Sequence, residues 1–376
     1  MIYNMNSEYF FLAPNSIKKT ICYLLLFFCI SDVTAQSSKE DMRQLIDRQY
    51  KLAEKQYRIL ASNTPIGRMP KTFYAKSNKF ETSDTKWWCS GFYPGSLLYI
   101  YEYTKDETTL KEAELRLASL AKEKHYTGNH DLGFMMYCSF GNAYRLNKKP
   151  EYKTTIDTAA ASLTTRYRPD ARVIQSWNSS KKWKGPVIID NLMNLELLLW
   201  VAQNGGDQKY KEVALNHADA TLANHFRPDF SSYHVVDYDM TNGEVVRKGT
   251  AQGASDDSAW SRGQGWALYG YTMMYRFTKD KKYLGFAQNI ARYILNSPTL
   301  PKDKIPYWDF NAKDIPNTYR DASAAAIIAS ALLELGQYSS SKDKKYYTDQ
   351  AREMLVSLSS KEYTAEEGSN GGFLLK

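Results

Sequence analysis

Apolar residues run along this chain in blocks that are apolar on nearly every side, and a cluster of polar residues introduces each block. Five segments repeat the arrangement: "CSGFYPGSLLYIYEYTKD" (89–106), "HDLGFMMYCSFGNAYRLNKKPEY" (130–152), "DNLMNLELLLWVAQNGGDQKY" (190–210), "RGQGWALYGYTMMYRFTKDKKY" (262–283) and "RDASAAAIIASALLELGQYSSSKDKKY" (320–346). Each block ends in a charged turn. Beyond it, apolar residues recur at helical spacing, as Tyr210 with Ala214 and Tyr283 with Ala287. A helix that is apolar all round is buried, and one with Lys and Glu along one side lies outside it. Each unit is therefore predicted to be a hairpin of one inner and one outer helix. "DMRQLIDRQYKLAEKQYRIL" (41–60) adds an outer-type helix ahead of the first unit. About six inner–outer pairs predict an all-α fold, an (α/α)6 barrel or toroid of helical hairpins.

The units are unevenly spaced, and the extra length falls before the polar clusters. Part of it reads as a β-hairpin: "SSYHVVDYDMTNGEVVRKGT" (231–250) has strand-like runs on either side of the turn signal Asn242-Gly243. In a toroid of parallel inner helices the polar starts gather at one end: Ser90, His130-Asp131, Asp190-Asn191, Arg262-Gln264 and Arg320-Asp321-Ser323. The inserts decorate that end, which is expected to be a funnel lined also by Trp87, Trp88, Trp260 and Trp266. Asp and Ser at helix starts are also ordinary N-caps. Asp190, which follows the β-branched Val187 to Ile189, is expected to cap its helix and to point into the funnel.

Residues 1–35 read as an export signal, with Lys18-Lys19 before the apolar "ICYLLLFFCI" (21–30) and a small-residue cleavage site at Val33-Thr34-Ala35. Residues 36–376 then form a single barrel domain, and the expected location is the periplasm. The chain carries 49 Lys and Arg against 41 Asp and Glu, a net charge of +8. A basic exported protein suggests an anionic partner. Its lysines are scattered, and export speaks against nucleic acid. An acidic polysaccharide fits better, as does a merely soluble basic surface, and no membrane partner is expected once the signal is removed.

Cys89 and Cys138 follow the signal, and the sequence leaves open whether they pair. The histidines at 125, 130, 217, 225 and 234 lack metal-ligand spacing, so no metal is expected. His125, His217 and His225 are expected at the surface or on outer helices. There is no nucleophile-elbow motif, phosphate-binding loop or dinucleotide fingerprint, and hence no expected cofactor.

What remains is carboxylate chemistry. Asp131 and Asp190 open helices of adjacent repeats, and a carboxyl pair is what proton transfer at a glycosidic centre needs. Asp256, Asp257 and Asp321 are further acids with capping or ion pairing as their ordinary roles. The Arg262 guanidinium suits a carboxylate ligand, with Trp266 one turn further along the same face. An internal ion pair from Arg262 to Asp257 or Asp321 is the competing expectation. His130 and His234 are candidate hydrogen-bonders to hydroxyls.

The motifs "WWCSGFYPG", "NHDLGF", "IIDNLMN", "YHVVDYD" and "DDSAWSRGQGWALYGY" together resemble the unsaturated glucuronyl hydrolases, glycoside hydrolase family 88, from about residue 40 to the end. The resemblance implies an (α/α)6 barrel acting on lyase-cut, glycosaminoglycan-type oligosaccharides, sulfated or unsulfated, that carry a 4,5-unsaturated uronic acid at the non-reducing end. Water adds across C4=C5, and the resulting hemiketal collapses. By motif, Asp190 is implied to be the proton donor to C4 and Asp131 its essential partner. Trp88, His234, Thr250, Gln252, Arg262 and Trp266 are implied to contact substrate. The chain departs from the pattern at "EEGSNGGFLLK", where family members continue into a further loop and inner helix, so the last helix is expected to be missing. An unsaturated rhamnogalacturonyl hydrolase acting on pectin fragments, a non-catalytic saccharide-binding barrel and a protein-interaction scaffold are the alternatives.

Overall fold

The computed structural model describes residues 42–376. The expected export signal, 1–35, lies outside them. The chain falls into two units, Met1–Gln49 and Tyr50–Lys376. In the first, residues 42–49 are described and are helical.

The second unit opens with a helix over residues 50–63 (α1) and continues as five hairpins among the described residues. They are Phe92–Thr104 (α2) with Glu107–Leu120 (α3), then Gly133–Gly141 running on as Asn142–Leu146 (α4) with Pro150–Thr164 (α5). Leu195–Gln203 (α6) pairs with Lys209–Asn224 (α7), Ser261–Thr278 (α8) with Lys281–Asn296 (α9), and Ala322–Gln337 (α10) with Ser341–Leu358 (α11). The first helix of each pair packs on its neighbours α2–α4–α6–α8–α10, and the second packs outside it. This is the (α/α)6-barrel architecture the repeat predicted.

Burial follows the apolar pattern. Twelve residues of α8 are buried, whereas the outer helix α9 buries one stripe, Tyr283, Ala287, Ile290, Ala291, Ile294 and Leu295. Arg276, near the end of α8, bridges Glu196 in the first turn of α6 at 2.8 Å and Glu334 of α10 at 2.9 Å. After α11 the chain returns to α1, and the Gln56 side chain donates to the carbonyls of Ser369 and Phe373.

The β-hairpin is present as Val235–Tyr238 and Val245–Gly249, turning at Gly243, whose φ of +77° is open to glycine at little cost. A third strand, Pro186–Ile188, pairs antiparallel with Val235–Tyr238 in register Ile188↔Val235. Sequence reasoning passed over that pairing, as it did the hairpin Met69–Tyr74 with Lys79–Ser83. The three-stranded sheet has a direct consequence for the site. Its strands end together, delivering Asp190, His234 and Thr250 to one place.

The helix starts also differ from expectation. Outer helices α3, α9 and α11 are capped by the side chains of Asp106, Asp280 and Ser340, but among the inner helices only α10 has a side-chain cap, from Asp321. Asp190 is not a cap. The chain enters α6 through a tight 3-10 turn over Ile189–Asn194, preceded by Ile188, and Asp190 sits inside its first turn. Asp131 is not a cap either: its own N–H is held by the Asn129 side chain. Both carboxylates are thereby left for other partners.

His217 lies on outer helix α7 and His225 at its C-terminal end, but both are fully buried rather than at the surface. His217 Nδ1 accepts from the Ile174 N–H, and His225 Nε2 donates to the Val187 carbonyl. Burial holds His217 well below the ordinary 6.5 and His225 down to about 3. Each binds its proton more readily unfolded than folded, so its contribution to stability is complete above pH 6.5 and is lost as pH falls below it. Lowering the pH from 7 to 5 should remove about 2 kcal/mol per histidine. Denaturant titrations should show a smaller acid loss in His225→Gln than in the wild type, and equal losses would refute the assignment.

Candidate active site

The site rests on a seam between the two aspartate motifs. Asn194, at the end of the 3-10 turn, accepts the Phe134 N–H through Oδ1 at 3.0 Å. Gly133 lies so close that a Cβ on it would come within 2.4 Å of the Asn194 Cα. The start of α4 and the turn into α6 are thus locked together by a close backbone approach and a side-chain hydrogen bond. From there α4 is wound in the wider π form over Gly133–Gly141, a distortion often found beside functional sites.

Asp190 is 7% exposed, and its Oδ2 has no hydrogen-bond partner among the described residues. It faces His234 Nε2 at 3.6 Å, and that nitrogen also lacks a partner there. The His234 tautomer is set from behind. Its Nδ1 accepts the N–H groups of Ala251 at 3.0 Å and Gln252 at 3.1 Å, so the ring proton sits on Nε2 and points at Asp190. Thr250 reaches the same Nδ1 at 3.5 Å. Thr250 and Gln252 are therefore brought to the site as supports of His234, with the Gln252 side chain exposed.

Asp131 has a matching neighbour. His130 Nε2 lies 3.3 Å from Asp131 Oδ1, and the His130 ring is buried. Burial pushes the Asp131 carboxyl above the ordinary aspartate range, the His130 charge pulls it back, Asp190 raises it and Arg166 lowers it. Burial and the neighbouring Asp190 thus oppose ionisation of Asp131, and His130 and Arg166 favour it.

Arg262 donates through Nε and Nη2 to Asp321 Oδ2 at 3.1 and 2.9 Å, the internal ion pair that was the competing expectation. Asp321 meanwhile caps α10 through Oδ1. The pairing uses one edge of the guanidinium, and the group lies 5.3 Å from the Trp260 ring. Trp260 packs in turn on His234 at 4.8 Å.

The remaining indoles form a floor. Trp88 meets Phe92 and Phe134, and Phe134 meets Trp266 at 5.0 Å. Trp266 and Trp260 are buried, whereas Trp87 is exposed. Asp309, fully buried, pins the loop carrying Thr250 and Gln252 by accepting from the Ala254 N–H and the Ser258 hydroxyl.

Through these contacts the structure links Asp131, Asp190, His234, Thr250, Gln252, Arg262, Trp88 and Trp266 in one cluster. Sequence reasoning missed Asn194, Phe134, Ser176, Arg166 and Asp309. Of these, Asn194 stood in plain view in "DNLMN" and Phe134 in "NHDLGF". The others act through long-range contacts that leave no local signal. Asp256 is a loop support, accepting the Thr250 N–H. Cys89 and Cys138 are free, and burial raises both thiols to about 12. Among the described residues no His, Cys, Asp and Glu side chains cluster as a metal site.

A barrel of helical hairpins presenting a carboxylate pair, an arginine and indoles packed around Phe134 defines a glycan-processing enzyme of the α/α-barrel class. The chain belongs to Glycosyl Hydrolase Family 88, whose family model matches residues 65–372. It is 41% identical over 346 residues to the unsaturated glucuronyl hydrolase of Formosa agariphila, covering 91% of this chain and 85% of that protein. It is 34% identical over 348 residues to the unsaturated chondroitin disaccharide hydrolase of Streptococcus pyogenes serotype M1, covering 90% and 84%. Among solved structures it is similar to an unsaturated glucuronyl hydrolase specific for heparin, with a TM-score of 0.85 at 41% identity over 88% of each chain.

The seam makes a direct prediction. Gly133→Ala forces α4 away from Asn194 and should cost about 2 kcal/mol or more of stability, as overpacking does. Thermal melting measures it, and an unchanged melting temperature would show that the seam yields freely.

Proposed function

We propose that this chain removes the 4,5-unsaturated glucuronyl residue from the non-reducing end of lyase-cut glycosaminoglycan oligosaccharides by hydrating its C4=C5 bond. The observation that carries the reading is the carboxylate pair: Asp131 and Asp190, each facing the Nε2 of a buried histidine, at the mouth that also holds Arg262. The names of the relatives and the motif resemblance support it.

The chemistry follows from the geometry. Asp190, with an oxygen uncommitted to the fold, delivers a proton to C4. Positive charge then develops on C5 and the ring oxygen, and the Asp131 carboxylate stabilises it electrostatically. Asp190, now ionised, takes a proton from water as the water oxygen bonds to C5, which returns the enzyme to its starting state. The product is a hemiketal. It opens to a C5 ketone and a C1 hemiacetal, and the hemiacetal expels the second sugar. His234, its proton held on Nε2, orients Asp190. Arg262 pairs with the substrate carboxylate through its remaining N–H groups, and the indole floor takes the apolar face of the sugar.

Loss of the ultraviolet absorbance of the conjugated double bond in unsaturated chondroitin or heparin disaccharides, with release of the second sugar, tests the reading. Asp190→Asn should keep the fold and lower kcat by about a thousandfold. Retained turnover in that variant would remove Asp190 from the mechanism. Unsaturated rhamnogalacturonan disaccharide should be consumed far more slowly. Arg262→Lys should raise KM about tenfold, because an ammonium lacks the planar fork. An unchanged KM would assign Arg262 to the Asp321 ion pair alone. We further propose that the chain is exported to the periplasm and cleaved near Gln36, which the N-terminal sequence of the mature protein checks.

A further inference from the structure

Asp131 is backed by three buried polar side chains that the mechanism above does not use. His130 is 2% exposed, and its ring and backbone are both tied to one residue, Ser176. The His130 N–H donates to the Ser176 carbonyl at 3.0 Å, and Nδ1 lies 3.3 Å from the Ser176 hydroxyl. That hydroxyl accepts the Ile188 N–H at 2.9 Å, two residues before Asp190. An ionised carboxylate only accepts hydrogen bonds, so the ring nitrogen facing Asp131, Nε2, carries the proton. Nδ1 then takes the hydroxyl proton of Ser176. The result is a directed chain, Ile188 N–H to Ser176 and Ser176 to His130, which turns the Nε2 proton of His130 towards Asp131 Oδ1, 3.3 Å away.

Arg166 is the third group. It is 3% exposed and held by carbonyls: Nε donates to Gln175 and Nη1 to Thr127, each at 2.7 Å, with Asn178 Oδ1 at 3.2 Å from Nη1. Its Nη2 is buried without a hydrogen-bond partner among the described residues. A buried guanidinium held only by neutral acceptors costs the fold stability unless a negative charge nearby offsets it. Burial and the neighbouring Arg168 disfavour its charge, which Tyr126 and the Asp131 carboxylate favour, and its bond to the Thr127 carbonyl holds it to the segment that leads into Asp131.

We propose that Ser176, His130 and Arg166 are positioning residues for Asp131: Ser176 and His130 aim a ring N–H at its carboxylate, and Arg166 sets a buried positive charge behind it. The inference rests on the reading of the two aspartates given above. It explains how two neighbouring acids take different roles. Asp190 keeps an oxygen free to exchange its proton, while His130 and Arg166 favour the anion at Asp131 against its burial, so that it can answer the charge at C5. The charged and titratable groups that act on Asp131 are His130, Asp190 and Arg166, with the Cys89 thiol as a further neighbour.

The test is a pH titration of the mature protein carrying 13C-labelled aspartate carboxyls, with the Asp131 signal identified by its loss in Asp131→Asn. In His130→Leu and in Arg166→Met the Asp131 carboxyl should take up its proton at higher pH than in the wild type. His130→Gln, which keeps an N–H near the Nε2 position, should restore the titration. On unsaturated disaccharide, His130→Leu should lower kcat about tenfold or more with KM within about twofold, and Ser176→Ala should act in the same direction more weakly. An unshifted Asp131 titration in a folded His130→Leu overturns the proposal, as does a shifted titration with unchanged kcat. A wild type that leaves every unsaturated uronide intact overturns the functional reading instead, and the titration still decides whether the clamp exists.

Discussion

Everything at the mouth of this barrel depends on one contact, the seam where Gly133 lies against Asn194 and the Asn194 side chain takes the Phe134 N–H. Helical hairpins of this kind bury their apolar faces against neighbours on either side and have latitude in how they slide past one another. The seam removes that latitude for the two hairpins that carry Asp131 and Asp190. It does so with a close approach of Gly133 to the Asn194 backbone and one buried hydrogen bond to the Asn194 side chain. The three-stranded sheet supplies the second constraint. Its strands end together at Ile188, Val235 and Gly249, so Asp190, His234 and Thr250 emerge side by side from residues far apart in the chain.

Within that frame the electrostatics are asymmetric. The inner helices, α10 apart, forgo side-chain caps, which leaves their positive N-terminal ends turned towards the mouth. Such an end favours anions, both the aspartates and a uronate ligand. Burial works against the charged form, and it dominates at Asp131. The fold answers with buried donors and a buried guanidinium rather than with solvent. Arg262 is handled differently: Asp321 occupies one edge of its fork and caps α10 with its other oxygen, so the arginine is aimed by the helix it faces.

The barrel was legible because its signal is periodic. Apolar blocks followed by amphipathic stripes distinguish inner from outer helices with no knowledge of contacts, as α8 and α9 illustrate. The two aspartates were legible because a carboxylate at the mouth of an apolar run is costly and needs a reason. Other features were not. Helical periodicity does not distinguish the 3-10 turn at Ile189–Asn194 or the π winding of α4 from ordinary helix, so Asp190 was misread as a cap. His217 and His225 sit on or beside an outer helix, but inserted strands cover them, and their burial follows from tertiary contact with Ile174 and Val187. The supports of the site, Ser176, Arg166 and Asp309, join segments that no local pattern connects.

The central claim is that Asp190 protonates C4 of an unsaturated uronide rather than assisting attack at the anomeric carbon. Turnover of an unsaturated disaccharide in D2O, followed by NMR at early times, tests it most directly. The account predicts one deuterium at C4 of the released uronic acid, delivered to a single face, and none in the Asp190→Asn variant. Release of the second sugar with the C4=C5 bond intact and no deuterium at C4 would contradict it.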